Sequence, residues 1–300
     1  INYANPDIEW ETTTSKNLAL DLNMFKNKLS ITAEIFDRTT DGLLYTLPLP
    51  PSFGTTRPAV QNIASVKNKG YELVAQYRNS IGKFTYNIGA NLAYVKNKII
   101  DLKSVTAISG ANILREGDDI NSFFGYKSDG LFRNADDVAN YPHYPTGFVL
   151  GSLRYIDTDN NGKIDDRDRT ILGTGSTPYT FGVNGSLGFK GFDLSFLFQG
   201  VKGKSVYIAD WANRPGNARV TEFWQEWFDN RFQATANPNG TWPALTRGTP
   251  NLVSDFYVRD ASYIRLKNIE LGYKLPAMFL EKMKIANIRF YMSAQNVLTI

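Results

Sequence analysis

The chain has 300 residues, with 33 Lys and Arg against 29 Asp and Glu, no cysteine, and a single histidine, His143. The lack of cysteine excludes disulfides and thiolate chemistry, and the scattered basic residues form no stripe of the kind that nucleic-acid binding requires. No run of about 18 apolar residues occurs, which excludes a transmembrane helix.

The first predicted elements are strands in which apolar and polar side chains alternate. Leu18 to Met24 and Leu29 to Phe36 show this two-residue period on either side of the turn Lys26 to Lys28. Tyr71 to Arg78 repeats the pattern after a long connection, Leu43 to Ser65. Successive side chains of a strand point to opposite faces, so each segment has one apolar face.

The clearest alternation lies between Phe84 and Tyr94, where the apolar face begins and ends in an aromatic ring and the other face is small or polar. Ten residues rising ~3.3 Å each and tilted ~40° cover about 25 Å, the height of the apolar band of an outer-membrane barrel. A soluble β-sandwich also has alternating strands and stays open as the alternative. Its strands are shorter, about 5–6 residues, and its core face is mostly aliphatic.

Later segments show the same alternation and are predicted to be strands. They are Tyr179 to Phe189, Phe192 to Gln199 and Ile288 to Gln295. In Tyr263 to Tyr273 the apolar residues change face partway along, so we predict a β-bulge near Lys267 and Asn268.

Short turns alternate with long connections along the chain, as in outer-membrane barrels whose long loops are extracellular. The long connections are Leu43 to Ser65, Lys98 to Pro178 and Val201 to Arg259. Short helical pieces are predicted at Thr221 to Phe228 and Pro276 to Lys284. The pattern predicts an all-β fold, an antiparallel transmembrane β-barrel of which this chain contributes about 9–10 strands.

The third long connection contains four tryptophans, Trp211, Trp224, Trp227 and Trp242. Two interpretations of them stay open. They form a small loop core that holds a surface helix, or they form an aromatic platform that binds a substrate at the barrel mouth.

The segment Asp157 to Asp168 matches the twelve-residue calcium-binding loop, with Gly162 at its sharp turn. The candidate metal ligands are Asp157, Asp159, Asn161, Lys163 through its backbone carbonyl, Asp165 and Asp168. No helical pattern precedes the loop, so we predict a structural Ca2+ site and not a regulatory EF-hand. The alternative is an Asx-rich turn that is ordered by side-chain to backbone hydrogen bonds without a metal.

No catalytic residues are predicted. The paired carboxylates of the chain lie in polar loops, and no Ser-His-Asp arrangement has a plausible set of supporting residues. A catalytic metal centre of the histidine type would need more than His143. We therefore expect that the chain is not an enzyme.

Several stretches, in chain order, resemble the C-terminal barrel half of SusC-like (RagA-like) TonB-dependent outer-membrane transporters. They are Asn5 to Thr14, Asn62 to Glu72, Gly151 to Gly173, Gly191 to Leu194, Phe198 to Gly200, Asp260 to Ile269, Gly272 to Pro276 and Ala294 to Asn296. The resemblance implies that residues 1–300 are part of one barrel domain of about 22 strands with a plugged lumen. It places the plug, the first half of the barrel and the last strands outside this chain.

The resemblance also implies a function: active import of a nutrient oligomer, a glycan or a peptide, across the outer membrane of a Bacteroidetes-like Gram-negative cell. The implied partners are a SusD-like surface lipoprotein that forms a lid, the TonB complex, and outer-membrane lipid. Two alternatives stay open, namely a receptor or adhesin barrel that does not transport, and a soluble calcium-binding β-module.

Overall fold

The structure is a computed structural model that describes residues 5–46, 60–142, 147–208, 225–245, 252–281 and 284–300. The strands are β1 Thr12–Met24, β2 Leu29–Thr46, β3 Val60–Ile81, β4 Phe84–Asp101, β5 Ala107–Ser109, β6 Asn112–Leu114, β7 Ser122–Gly125, β8 Ser128–Leu131, β9 Leu153–Tyr155, β10 Thr170–Thr174, β11 Tyr179–Phe189, β12 Phe192–Lys202, β13 Ser205–Tyr207, β14 Val258–Asp260, β15 Tyr263–Lys274 and β16 Arg289–Thr299. The α-helices are α1 Ala135–Asn140, α2 Gln225–Asn230 and α3 Ala277–Glu281.

One antiparallel sheet forms the wall of the molecule. Its eight strands lie in the order β1-β2-β3-β4-β11-β12-β15-β16, so every strand pairs with its neighbour in the chain except where β5 to β10 and β13 to β14 are inserted as loops. Each segment predicted from alternation lies in this sheet, which confirms an all-β antiparallel barrel wall. The described residues supply eight wall strands, close to the expected nine or ten.

The turns at one end of the sheet are tight. Lys190 and Gly191 join β11 to β12 with φ of 48° and 89°, the left-handed values that a two-residue hairpin of type I′ requires. Gly82, with φ of 60°, and Lys83 join β3 to β4. The hairpin is tight because β3 continues to Ile81, which pairs with Phe84.

At the other end, β2, β3 and β4 continue well beyond the predicted strands. Leu43 pairs with Ala64, and Val66 pairs with Ile99. The expectation of loops at Leu43, at Val60 to Ser65 and at Lys98 to Asp101 was therefore wrong. Burial explains the extension, because a hydrophobic cluster packs on these strand ends: Ala64, Val66, Ile99 and Leu102 are buried against Leu43, Val105, Leu114 and Ile120.

The predicted bulge in β15 is confirmed. Asn268 pairs with Leu197 while Leu266 pairs with Phe198, so Lys267 is the extra residue. The bulge returns Leu266 and Ile264 to the face that carries Ile269, because one added residue reverses the alternation.

The long connections fold into a second assembly above the wall. It contains the four-stranded sheet β10-β7-β6-β5, the pairs β8-β9 and β13-β14, and the helices α1 and α2. Its core is an aromatic-rich cluster of Tyr126, Leu131, Leu153, Tyr155, Ile164, Trp227, Phe232, Trp242 and Tyr257. The short helix α3 confirms the helical piece predicted before β16. Among the described residues, no helix is long and apolar enough to cross a membrane.

Candidate functional site

Two rows of aromatic side chains run across one face of the wall. The upper row joins Tyr71, Tyr94 and Tyr179 in register, with ring centroids 5.4 and 4.6 Å apart. The lower row, also in register, contains Phe84, Phe189, Phe192, Tyr273 and Phe290. Phe84 and Tyr94 lie on the same strand, so the rows are about 25 Å apart along the barrel axis, as at the two interfaces of a bilayer.

The band between the two rows is apolar and exposed. Leu73, Ile88, Val183 and Leu271 all project from this face and are more than a third exposed. Monomeric soluble proteins rarely expose an apolar patch of this extent. An apolar band bounded by two aromatic rows is the surface that a barrel strand presents to lipid.

The opposite face of the wall is polar and lined with small residues. Gln76 donates to Asn87 across β3 and β4 at 3.0 Å. Gly89 leaves room for the amide of Asn184, since a Cβ there would lie 2.7 Å from the Asn184 Oδ1. This face has the hydrogen-bonding groups expected of a barrel lumen.

A charged cluster lies on the lumen face near the tight turns, and the sequence patterns did not indicate it. Arg289 on β16 reaches over β15, with Nη2 at 2.6 Å from Glu270 Oε1 and at 2.5 Å from Asp193 Oδ2 on β12. The path crosses Gly272, where any Cβ would overlap the Arg289 guanidinium. The absence of a side chain at Gly272 thus permits an ion pair between strands that are not neighbours.

Two of the four tryptophans in the third long connection are described, and both lie in the core of the loop assembly. Trp227 on α2 is 3% exposed and donates from Nε1 to the Pro243 carbonyl at 3.0 Å. Trp242 is 5% exposed and packs edge-on against Phe256, with ring centroids 5.2 Å apart. For these two residues the burial favours the loop-core interpretation. Trp211 and Trp224 lie outside the described residues, as does His143, and substrate binding by the four tryptophans stays a prediction.

The acidic loop gathers three of its predicted ligands. Asp157, Asp159 and Asp168 each place a carboxylate oxygen within 4.8 Å of the others. Gly162 makes the sharp turn with φ of 81°, as a calcium-loop glycine does. Asp168 is buried, and its Oδ1 accepts from the Thr158 N–H at 2.7 Å.

The remaining predicted ligands of this loop have other partners. Asp165 caps the short 3₁₀ helix Asp166–Asp168 and pairs with Arg167, whose Nη2 lies 2.8 Å from Asp165 Oδ2. Hydrogen bonds from the Arg167 side chain and backbone lower the pKa of Asp165 to about 2. Asn161 Oδ1 accepts from the Lys163 N–H at 2.9 Å. These contacts are those of an Asx-rich turn, and they coexist with the three gathered carboxylates, so the structure is compatible with both interpretations.

A cleft of about 420 Å³ opens where β4 and β11 separate below the loop assembly. Its lining includes Asn97, Asp119, Thr174 and Ser205. Asp119 is held by the hydroxyls of Thr174 and Ser176, at 2.8 and 2.7 Å. The cleft is open, and these side chains offer amide, carboxylate and hydroxyl groups to a polar ligand or water.

Comparison with known proteins agrees with this architecture. The family model described as TonB dependent receptor-like, beta-barrel, matches residues 1–297. TonB-dependent receptor P3 of Formosa agariphila is 30% identical over 99% of this chain and 30% of its own length. TonB-dependent receptor SusC of Bacteroides thetaiotaomicron is 24% identical over 97% of this chain and 29% of its own length. The chain thus spans about 30% of the length of these relatives.

Solved structures share the fold. The structure of the RagAB peptide transporter superposes with a TM-score of 0.80, covering 99% of this chain and 32% of that chain at 23% sequence identity. The RagAB peptide importer in the closed-closed state superposes with a TM-score of 0.78 over the same shares.

Proposed function

This chain belongs to the TonB dependent receptor-like β-barrel family, and on that premise we propose that its parent protein is an integral outer-membrane importer of a nutrient oligomer. TonB-dependent receptors bind and transport ligands and are not enzymes, so the chain has no catalytic role. In the proposal, the eight described wall strands separate lipid from lumen, and the loop assembly forms part of the extracellular binding surface.

The observation that carries the proposal is the pair of aromatic rows with the exposed apolar band between them. The rows are ten residues apart, at Phe84 and Tyr94 on β4, which matches the bilayer, while the opposite face offers amides and hydroxyls to a polar solute. A soluble β-module would bury that band, so the soluble alternative is disfavoured.

We further propose that the parent protein works with a SusD-like surface lipoprotein and the TonB complex. SusC and the RagAB peptide transporter are similar to this chain, and the family is named for its dependence on TonB. The proposed cargo is a glycan or a peptide. Aromatic rings and polar groups at the mouth suit sugar faces, hydroxyls and amides alike, so loop chemistry supports both classes.

The membrane part of the proposal is tested on the full-length parent protein. We expect it to fractionate with outer membranes, to need detergent for extraction, and to migrate differently on a gel before and after boiling. A detergent-free soluble protein with no heat shift would contradict the proposal.

Transport is tested separately, by uptake of labelled oligosaccharides and oligopeptides into cells with and without the parent gene, and with and without functional TonB. Uptake that needs both is the expected result. Surface binding that persists without TonB, with no uptake, would instead identify a receptor or adhesin barrel.

The tryptophan prediction is tested by affinity for the cargo that this uptake assay identifies. Trp211→Ala is expected to weaken binding, whereas Phe25→Ala, at a ring that is 68% exposed in the short turn between β1 and β2, serves as the control. Equal affinities for the two variants and the wild type would remove Trp211 from the binding site. Trp227→Ala and Trp242→Ala are less informative, because both rings are part of the loop core.

We also propose that the acidic loop binds Ca2+ in a structural role. The support is the convergence of Asp157, Asp159 and Asp168 together with Gly162 at the turn, since hard cations prefer several oxygens around one point. The test is calorimetric titration of the chelator-treated parent protein with Ca2+. Asp159→Asn is expected to weaken binding, and Asp136→Asn on α1 is the control. No heat of binding, and no calcium-dependent protection of the loop from protease, would leave the metal-free Asx-rich turn as the explanation.

A further inference from the structure

Four lysines form a compact patch on the outer face of the wall. Lys67 and Lys69 lie on β3, and Lys96 and Lys98 lie on β4. The register places Lys69 directly opposite Lys96, and Lys67 directly opposite Lys98. Directly opposed side chains have Cβ atoms about 5 Å apart, so two like-charged pairs lie side by side.

The charge of this patch is only partly neutralised. Asp37 on β2 pairs with Lys67 and Lys69 at 3.2 and 3.0 Å. Lys96 and Lys98 form no ion pair with any described residue. Asp118 and Asp119, which line the same cleft as Lys96 and Lys98, have other partners: Asp118 pairs with Arg115, and Asp119 accepts from Thr174 and Ser176.

Like charges directly opposite each other destabilise a sheet. Placing one lysine of each pair on the other face of its strand would have separated the charges. The arrangement therefore points to an anionic group outside the protein that neutralises the patch.

The patch lies at a defined height on the barrel. Lys69 and Lys96 come two residues above Tyr71 and Tyr94, on the same face, and Lys67 and Lys98 come two residues further. At ~3.3 Å per residue and a tilt of ~40°, these positions are about 5 and 10 Å above the upper aromatic row. The polar headgroup layer of a bilayer is about 5–8 Å thick on each side. Lys69 and Lys96 thus lie within this layer, and the flexible side chains of Lys67 and Lys98 can bring their ammonium groups down to its outer edge.

Two more lysines extend the basic surface sideways, one beside the patch and one at the height of the upper aromatic row. Lys16 on β1 is the register partner of Asp37, and Lys202 on β12 is the partner of Tyr179 in the upper row. All of these positions face away from the lumen, so a cargo inside the barrel cannot reach them.

We propose that Lys67, Lys69, Lys96 and Lys98 bind the phosphate groups of lipids at the extracellular surface of the outer membrane. The inference rests on the membrane placement of the proposed function. Lysine ammonium groups attract anionic headgroups as point charges, and the apolar band directly below accepts the acyl chains of the same lipid.

The test uses the full-length parent protein in detergent and native mass spectrometry, titrated with purified lipid A, which carries two phosphates. The test variant combines Lys67→Gln, Lys69→Gln, Lys96→Gln and Lys98→Gln. Its affinity for lipid A is expected to fall about tenfold or more, with a weaker salt dependence than the wild type. Replacing the same four lysines by Arg is expected to restore binding.

The matched control removes four exposed lysines at the opposite rim: Lys26→Gln, Lys28→Gln, Lys83→Gln and Lys190→Gln. This control has the same net charge as the test variant and is expected to bind lipid A as the wild type does. Dephosphorylated lipid A is expected to bind the wild type and the test variant equally weakly, and free inorganic phosphate is expected not to compete at the lipid concentrations used.

Equal lipid A affinity for the wild type and the test variant would overturn the inference, as would equal losses in the test variant and the control. Competition by inorganic phosphate at the lipid concentration would also overturn it, because it would indicate a phosphate site that does not need a lipid. A parent protein that needs detergent and shifts on heating, yet binds lipid independently of the lysines, would contradict only this inference. A soluble parent protein would contradict the proposed function itself.

Discussion

Single residues on the wall are matched across strands by size. Phe196 lies opposite Gly185, and Phe181 lies opposite Gly200. In both pairs the ring covers the glycine, and a Cβ on the glycine would overlap it. An aromatic ring over a cross-strand glycine fills the gap that the missing side chain would leave.

We expect Gly185→Ala to destabilise the parent barrel by about 1–3 kcal/mol, because the Phe196 ring must leave its position. The measurement is the urea midpoint at which the heat-modifiable band disappears. Gly175→Ala is the control, since its new Cβ would meet no atom closer than 3.6 Å. Equal midpoints for the two variants would show that the ring moves at no cost.

Tyr155 makes the loop assembly sensitive to alkaline pH. Its side chain is 1% exposed, and its hydroxyl has no hydrogen bond of normal geometry among the described residues. Burial, and then the neighbouring Tyr257, raise the pKa of Tyr155 well above its ordinary value of 10. The folded state thus favours the protonated phenol. This contribution to stability is complete below pH 10 and is lost progressively as the pH rises above 10.

Protease cleavage of the loop assembly is therefore expected to accelerate above pH 10 in the wild-type parent protein, and to accelerate less in Tyr155→Phe. At pH 7 the same variant should change loop stability by less than about 1 kcal/mol, because the lost hydroxyl makes no regular hydrogen bond. Tyr291→Phe, at an exposed ring, should follow the wild type at every pH. A Tyr155→Phe profile that also follows the wild type would contradict the argument.

At the scale of elements, the bulge in β15 decides which side chains meet lipid. If Lys267 were paired regularly, without a bulge, alternation would turn Ile264 and Leu266 into the lumen while Ile269 and Leu271 stayed outside. The register shift in β16 lies opposite, between the partners of Leu266 and Asn268, so the bulge is shared by neighbouring strands.

Deletion of Lys267 is expected to leave the yield of heat-modifiable parent protein within about twofold of the wild type, because the shortened strand would alternate regularly and keep Ile264 and Leu266 on the lipid face. Lys267→Ala keeps the bulge and should also assemble normally. Loss of assembly in the deletion variant alone would show that the bulge does more than correct the alternation of β15.

At the scale of the whole molecule, the described sheet does not close. β1 and β16 each pair on one side only within the described ranges, so each leaves a row of free N–H and C=O groups. Such edges cannot stay unpaired in lipid, where no water satisfies them. The strands that complete the barrel must come from elsewhere in the parent protein, in line with the fact that the chain spans about 30% of its relatives.

Residues 1–300 expressed alone are therefore expected to aggregate and to show no heat-modifiable band after refolding in detergent, whereas the full-length parent protein should show one. A monomeric, heat-modifiable species from residues 1–300 would mean that these strands can close a smaller barrel by themselves.

Local alternation made most of the wall predictable. A strand exposes its residues with a period of two whatever its partners are. The order of side chains from Phe84 to Tyr94 therefore shows by itself which residues face lipid, which face the lumen, and that the lipid face ends in aromatic rings. The bulge at Lys267 was predictable for the same reason, because it appears as a break in that period. The acidic loop was visible through the spacing of its oxygens.

Tertiary structure decided which side chains meet when they come from strands and loops that lie far apart in the sequence. The extension of β3 and β4 depends on loop residues such as Leu114 that bury Ile99. The ion pair between Arg289 and Asp193 depends on Gly272, which lies between them. The lysine patch exists only because the register places Lys69 opposite Lys96. A two-residue period fixes which face a side chain takes but carries no information on which residue lies opposite. The sequence by itself therefore determined the strands and their faces, and pairing in three dimensions decided the neighbours.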